Sequence, residues 1–213
     1  MRCIAVPLPK EPYSTDDVEI LDSEPLFRSF FKADKVTLRH RLYQGGWSAP
    51  ITREIFIRGE AVGVLLYDPV NDLIGLVEQF RIGALQDAHG PWCMEVVAGM
   101  VEANESLEEV AWREVEEETD LKPDALEYIC EYMASPGGCD ERLHVYCARL
   151  NLQGAGGVHG LVAEGEDIKL HVMAAAEVFA ELYSGRFNNA ATMIALQWLQ
   201  LNRPRLQQQA GGA

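Results

Sequence analysis

Residues 99–121 read GMVEANESLEEVAWREVEEETDL. Acid crowds this stretch: Glu102, Glu105, Glu108, Glu109, Glu114, Glu116, Glu117, Glu118 and Asp120 share it with Arg113 as the only base. From Ser106 to Thr119 it carries the strongest helical spacing in the chain. At about 100° per residue, Leu107, Val110, Ala111 and Val115 fall on one side and form a stripe for burial. Glu114 and Glu118 lie inside that stripe, four apart and so stacked on one face. Glu109, Arg113 and Glu116 point the other way, and Glu117 sits at the margin. A solvated helix face is the ordinary explanation of an acidic run, and it suits Glu109 and Glu116. It does not suit Glu114 and Glu118, because burying an unpaired carboxylate is costly and a like charge beside it adds to the cost. A positive group must therefore face them. Carboxylate oxygens suit hard cations such as Mg²⁺ or Mn²⁺, and Mg²⁺ keeps waters and shares its shell with substrate phosphates.

Outward from this helix, strand signals dominate the first two thirds of the chain. Val36 to Tyr43 and Trp47 to Ile57 read as two strands, and the glycines of Gln44-Gly45-Gly46 can take the positive φ of a tight hairpin. Ala61 to Tyr67 and Leu73 to Gln79 form a second pair around a turn at Asp68-Pro69-Val70-Asn71. Trp92 to Ala98, Leu126 to Met133, Leu143 to Leu150 and Ile168 to Val172 are further strands. Residues 153–160, QGAGGVHG, have too little side chain to be anything but a mobile loop. Two helices follow, Ala174 to Tyr183 and Ala190 to Leu201, the second expected to end before Pro204. Residues 1–35 contain Pro7, Pro9 and Pro12 and an aromatic patch of Phe27, Phe30 and Phe31, and no element is assigned there. The fold class is α+β, without internal repeats.

With 213 residues and 48% hydrophobic content, the chain can bury a core of its own. No apolar run is long enough for a signal peptide or a membrane span, so a cytoplasmic protein without a membrane partner is expected. Five cysteines, odd in number and without a Cys-x-x-Cys pair, fit reduced thiols better than a disulfide frame or a zinc site. The net charge of −15 argues against a nucleic-acid partner, which needs clustered Lys and Arg. A small anion accompanied by its own divalent cation remains compatible with it.

Gly99, Glu105, Arg113-Glu114-Val115, Glu117-Glu118 and Leu121 match the Nudix box, Gly-x5-Glu-x7-Arg-Glu-U-x-Glu-Glu-x-Gly-U with U aliphatic, at every spacing. The chain thus resembles the Nudix hydrolase family. It departs from the box once, where Asp120 replaces the second glycine; Asp is among the few residues that tolerate the left-handed conformation at a helix end. The resemblance implies a Nudix α/β/α sandwich with a mixed sheet over residues 58–213, preceded by a small antiparallel β region over residues 1–57. It also implies a metal site of Glu114 and Glu118, helped by Glu117, Glu166 and the carbonyl of Ala98. Arg113 would orient the carboxylates and Glu105 would support the loop. The implied chemistry is attack of water on a diphosphate activated by Mg²⁺, with Mn²⁺ as a substitute.

Further segments resemble bacterial ADP-ribose pyrophosphatases: Arg53-Glu54-Ile55-Phe56, Glu78-Gln79-Phe80-Arg81, Glu95 to Met100, Ser135-Pro136-Gly137-Gly138, Glu164 to Ile168, and Asn189-Ala190-Ala191. They imply ADP-ribose as substrate, cut to AMP and ribose 5-phosphate. Arg81 and Arg53 would meet phosphate oxygens, which a guanidinium fork matches, although out of context both read as surface arginines. Met100 and Phe30 would flank adenine or ribose, with core packing as the alternative for each. Glu54, Gly138 and Glu141 are further expected substrate contacts. Glu164 is the expected general base and Glu166 an accompanying carboxylate, the two roles being exchangeable; the glycine-rich loop before them could close over substrate. His159 and His171 have no matching partner and read as structural or surface residues. Relatives of this kind are homodimers that exchange the N-terminal region, setting Phe30, Arg53 and Glu54 of one chain in the other's site. Two alternatives stay open: GDP-mannose or another nucleoside diphosphate sugar as substrate, and a sensor that binds ADP-ribose without cutting it. The complete set of box carboxylates speaks against the sensor.

Overall fold

A computed structural model describes residues 13–161, 163 and 165–212. The chain divides into two units, one built from the residues up to Arg58 together with Ser135–Asp140, the other from Gly59–Ala134 and the residues from Glu141 onward.

In the first unit, β1 (Val18–Arg28), β2 (Lys32–His40) and β3 (Ile51–Ile57) form an antiparallel sheet in that order. The existence of β1 corrects the expectation of no element before residue 36. Its pairing with β2 shifts register between Ile20 and Asp22 and again between Pro25 and Phe27. Such bulges break the two-residue alternation by which a strand is read. As an edge strand it also tolerates Pro25. The glycine turn lies where expected, with φ of 89° at Gly45 and 78° at Gly46. The strands around it end earlier than their apolar runs, at His40 and Ile51. Ser135–Asp140 joins this unit through Phe56, whose N–H donates to the Gly138 carbonyl at 2.8 Å.

The second unit contains β4 (Glu60–Asp68), β5 (Leu73–Phe80), β6 (Trp92–Glu95), β7 (Val97–Met100), β8 (Ala125–Met133), β9 (Arg142–Arg149), β10 (Gly157–His159) and β11 (Ile168–Ala174). Their order across the sheet is β10-β11-β5-β4-β9-β8, with β6 beside β5 and β7 beside β4. β4 and β9 run parallel and the other pairs antiparallel, so the sheet is mixed. Helix α1 (Leu107–Thr119) covers one face, and α2 (Ala175–Ala180) with α3 (Ala190–Gly211) covers the other. β4 shows the reason for both layers. Val62, Val64 and Leu66 pack with Val110, Ala111 and Val115 of α1, while Leu65 and Tyr67 pack with Val178, Ala195 and Leu199. A strand covered on both faces reads as a nearly continuous apolar run. The α/β/α sandwich expected from the sequence is therefore present.

Two expectations fail here. Part of the glycine-rich stretch is strand: Gly157–His159 pairs with Ile168–Leu170, with positive φ at Gly154, Gly156 and Gly160 on either side and at Gly157 within it, so the glycines bend the chain into the pairing instead of leaving it a loop. Helix α3 does not end before Pro204 but runs to Gly211. Proline in a helix interior costs about 3 kcal/mol through a lost hydrogen bond and a clash. Against that, Leu206 beyond the proline is fully buried, Arg203 forks onto Asp72, and Gln207 donates to Asp72 at 3.1 Å. Burying one leucine contributes roughly 2 kcal/mol, and the Asp72 contacts supply the remainder.

Candidate metal and active site

The site begins at a break in the sheet. β6 ends at Glu95 and β7 starts at Val97, and the N–H of Val96 between them donates to the buried hydroxyl of Thr192 at 2.9 Å. Thr192 lies in the first turn of α3, capped by Asn189, whose side chain also donates to the Met94 carbonyl at 3.1 Å. The start of α3 thereby pins the backbone that leads into Ala98 and Gly99.

Facing β7 is α1. Ser106 caps its start and the Glu109 carboxylate accepts from the Ser106 N–H at 2.9 Å, so Glu109 closes a capping box. At the other end Asp120 adopts φ 55° and ψ 25°, the left-handed conformation expected of it. Burial along the helix follows the sequence reading for the acids: Glu116 is exposed, Glu114 and Glu117 are half-buried, and Glu118 is 3% exposed. Arg113 is different. Its direction from the helix axis predicts a solvent-facing side chain, but the long stem curls back and the guanidinium grips Glu105 with two nitrogens, at 3.1 and 3.2 Å. It also reaches Glu114 at 2.8 Å and Glu117 at 3.1 Å. Burial works against its charge, yet these carboxylates hold Arg113 more firmly protonated than usual. The Glu102 N–H and Arg113 together hold Glu105 below the usual carboxylate range.

Gly99 is needed for its missing side chain. A Cβ there would lie 1.8 Å from Glu114 Oε1 and 2.0 Å from its Cδ, so the carboxylate occupies the space a side chain would fill. Burial raises the Glu114 pKa, Glu117 and Glu166 add to the rise, and Arg113 offsets part of it.

Two buried acids show what is unusual at Glu118. Burial disfavours ionisation of Asp68, but bonds from the Asn71 side chain and from the N–H groups of Val70, Asn71 and Leu152, each 2.8 to 3.0 Å, outweigh it and hold its pKa low. Glu118 has the Ala98 N–H, while its Oε2 is buried with no hydrogen-bond partner among the described residues. Burial, with the charges of Glu114 and Glu166, pushes Glu118 up to about 8. An orphaned buried oxygen beside a second carboxylate fits a divalent cation, which would satisfy the lone pair and neutralise the charge. Among the described residues no three Asp, Glu, His or Cys side chains are already gathered as a metal cage. Glu166 is turned to the backbone, accepting from the Leu161 N–H at 3.0 Å.

Arg81, just past β5, gives its Nε to Glu95 at 2.7 Å and eases ionisation of Glu118 by its charge. Arg81 and Glu95 line a cleft of about 470 Å³ with Asp87, Cys93, Asn188 and Asn189. Met100 is exposed at the end of β7, and the Glu141 carbonyl accepts from Ala134 N–H at 2.9 Å. The first unit carries Phe30, 80% exposed and edge-on to Phe31, together with Arg53, Glu54 and Gly138. Arg53 and Glu54 stand on β3 opposite Val36 and Lys35. Glu164 lies outside the described residues. His171 does have a partner, contrary to expectation, in Glu78 at 2.9 Å. Sequence reasoning gave no role to Glu95 or Thr192. Only the strand register reveals Glu95: its partner Val77 belongs to the α1 core, and the two share a face.

The NUDIX domain family model matches residues 57–195. The ADP-ribose pyrophosphatase of Escherichia coli (strain K12) is 43% identical over 194 residues, covering 91% of this chain and 93% of that protein. The ADP-ribose pyrophosphatase of Haemophilus influenzae is 41% identical over 199 residues, covering 92% of each. The GDP-mannose pyrophosphatase of Yersinia enterocolitica is 29% identical over 186 residues, covering 87% of this chain and 96% of that protein. A crystal structure of an ADP compounds hydrolase superposes with a TM-score of 0.70 over 92% of this chain and 99% of that one, at 20% identity, a likeness of fold.

Proposed function

Because the chain belongs to the NUDIX domain family, we propose that it hydrolyses the diphosphate of ADP-ribose to AMP and ribose 5-phosphate, using Mg²⁺ or, in its place, Mn²⁺. The observation that carries the metal chemistry is the Glu118 Oε2, buried beside Glu114 without a hydrogen-bond partner among the described residues. The substrate reading is supported by 41% and 43% identity to ADP-ribose pyrophosphatases along nine tenths of the chain, against 29% for the GDP-mannose relative.

Glu114 and Glu118 would hold the cation, with Glu117, Glu166 and the Ala98 carbonyl as further donors. When bound, it neutralises charge on the diphosphate oxygens and lowers the pKa of water. Arg113 keeps Glu114 and Glu117 from swinging away and ties them to Glu105. Arg81 offers its guanidinium to phosphate oxygens. Glu164 takes the proton as water oxygen bonds to phosphorus and the bond to the bridging oxygen breaks, leaving one phosphate on each product.

The reading includes a homodimer in which the exchanged N-terminal region brings Phe30, Arg53 and Glu54 to the site, with Gly138, Glu141 and Met100 as further substrate contacts. It is supported by β1, in which every residue is exposed, among them Val18, Ile20, Leu21, Leu26 and Phe27. A gel-filtration mass of a single chain would contradict it. A reducing, cytoplasmic setting suits the free thiols of Cys93, Cys130, Cys139 and Cys147. Among the described residues no helix is long and apolar enough to cross a membrane.

The deciding experiment is a panel of nucleoside diphosphate sugars with Mg²⁺. Release of AMP from ADP-ribose, faster than cleavage of GDP-mannose, is expected and also excludes a non-cutting sensor. Preference for GDP-mannose would overturn the substrate, and full activity of Glu114→Gln or Glu118→Gln would overturn the metal site.

A further inference from the structure

We infer that Glu95 is the positioning residue that aims Arg81 at the substrate diphosphate, an inference that rests on the ADP-ribose reading. Glu95 closes β6 on the face shared with Val77, and its side chain is 15% exposed. The bond it makes is with Arg81 Nε at 2.7 Å. A guanidinium is planar, so holding Nε fixes the plane and leaves the two terminal nitrogens as a fork of the width that phosphate oxygens accept. Those two nitrogens of Arg81 donate no hydrogen bond among the described residues. The Arg81 side chain is 43% exposed and, without an anchor, would spread over many rotamers.

A purely structural ion pair is a poor account of this geometry. β5 and β6 are already joined by their own ladder from Val77 and Glu95 to Phe80 and Trp92, and the Arg81 N–H is bonded to the Pro91 carbonyl at 2.7 Å. With the Arg81 side chain 43% exposed, the pair adds little to that join. It does hold the guanidinium at the wall of the cleft, within electrostatic reach of Glu118.

The test is a double-mutant cycle of Glu95→Gln and Arg81→Ala, with Glu95→Asp as the conservative variant. Steady-state cleavage of ADP-ribose with Mg²⁺ and thermal unfolding are followed for the full-length protein. Glu95→Gln should lower kcat/KM about tenfold with KM carrying most of the change, as expected for a charge-assisted contact, at an unchanged melting temperature. Glu95→Asp should recover much of the loss. In the Arg81→Ala background Glu95→Gln should have no further effect, because its target is gone. Full activity of Glu95→Gln beside an impaired Arg81→Ala, or losses that multiply in the double variant, would overturn the inference alone. Arg81→Ala that cleaves ADP-ribose normally would overturn it as well, whereas unmodified protein that leaves ADP-ribose uncut would remove the reading on which it rests.

Discussion

In the protein stripped of divalent metal, Glu118 should make stability fall as pH rises, and Mg²⁺ should abolish the fall. Its folded pKa of about 8 lies above the ordinary value of 4.5. Below about 4.5 the group is protonated in folded and unfolded chains alike, and its contribution is fully present. As pH climbs toward 8 the unfolded chain ionises freely while the folded chain holds the proton, so stability is lost across that window and levels off above it. Each tenfold difference in proton affinity is worth about 1.36 kcal/mol, so the loss is about 3 kcal/mol by pH 7 and approaches ~5 kcal/mol above pH 8, as orders of magnitude. Burial is the main cause, and replacement by a neutral isostere removes it. Urea unfolding of the native protein and Glu118→Gln from pH 5 to 9, with chelator and with excess Mg²⁺, isolates this contribution from the other acids. Without metal the native protein should lose stability relative to Glu118→Gln as pH rises. With Mg²⁺, which binds the ionised form, the order should reverse. Parallel curves in chelator, or equal stabilisation of both proteins by Mg²⁺, would refute the reasoning.

Gly99→Ala sets a Cβ where the Glu114 carboxylate now lies; kcat should drop about a hundredfold or more from the displaced carboxylate, with overpacking costing ~1–3 kcal/mol in unfolding. Arg113→Lys keeps the charge but loses the two-nitrogen grip on Glu105, so kcat should fall while melting changes little, and a wild-type rate would contradict the orienting role. Asp72→Ala removes the acceptor for Arg203, Gln207 and Tyr67 and should destabilise by about 1–3 kcal/mol in calorimetry with kcat untouched. Glu164→Gln should bind ADP-ribose and metal normally while turnover collapses; weakened binding at normal turnover would refute its assignment as base.

The sequence alone determined the parts of this protein set by local spacing. A helix with apolar residues at helical intervals must bury one face, and that rule by itself puts Glu114 and Glu118 inward. The left-handed Asp120 and the glycine turn at Gly45 and Gly46 were legible likewise, because each depends on the backbone freedom of one or two residues. Tertiary structure decided what depends on partners distant in the chain. β1 was hidden because two register shifts erase its alternation, and α3 outlasts Pro204 because Asp72, well over a hundred positions earlier, receives Arg203 and Gln207. Arg113 turned inward because a long stem lets a cation leave the side its Cα faces when carboxylates lie within reach. Most consequential is the contrast between Asp68 and Glu118: both are buried acids, one fully hydrogen-bonded and one not. A pattern of residues can say which acids go inside. Only packing decides which of them is left short: Asp68 is served chiefly by its own turn, through Val70 and Asn71, with Leu152 added by the fold, while Glu118 takes the Ala98 N–H of the facing strand and leaves Oε2 without a partner among the described residues.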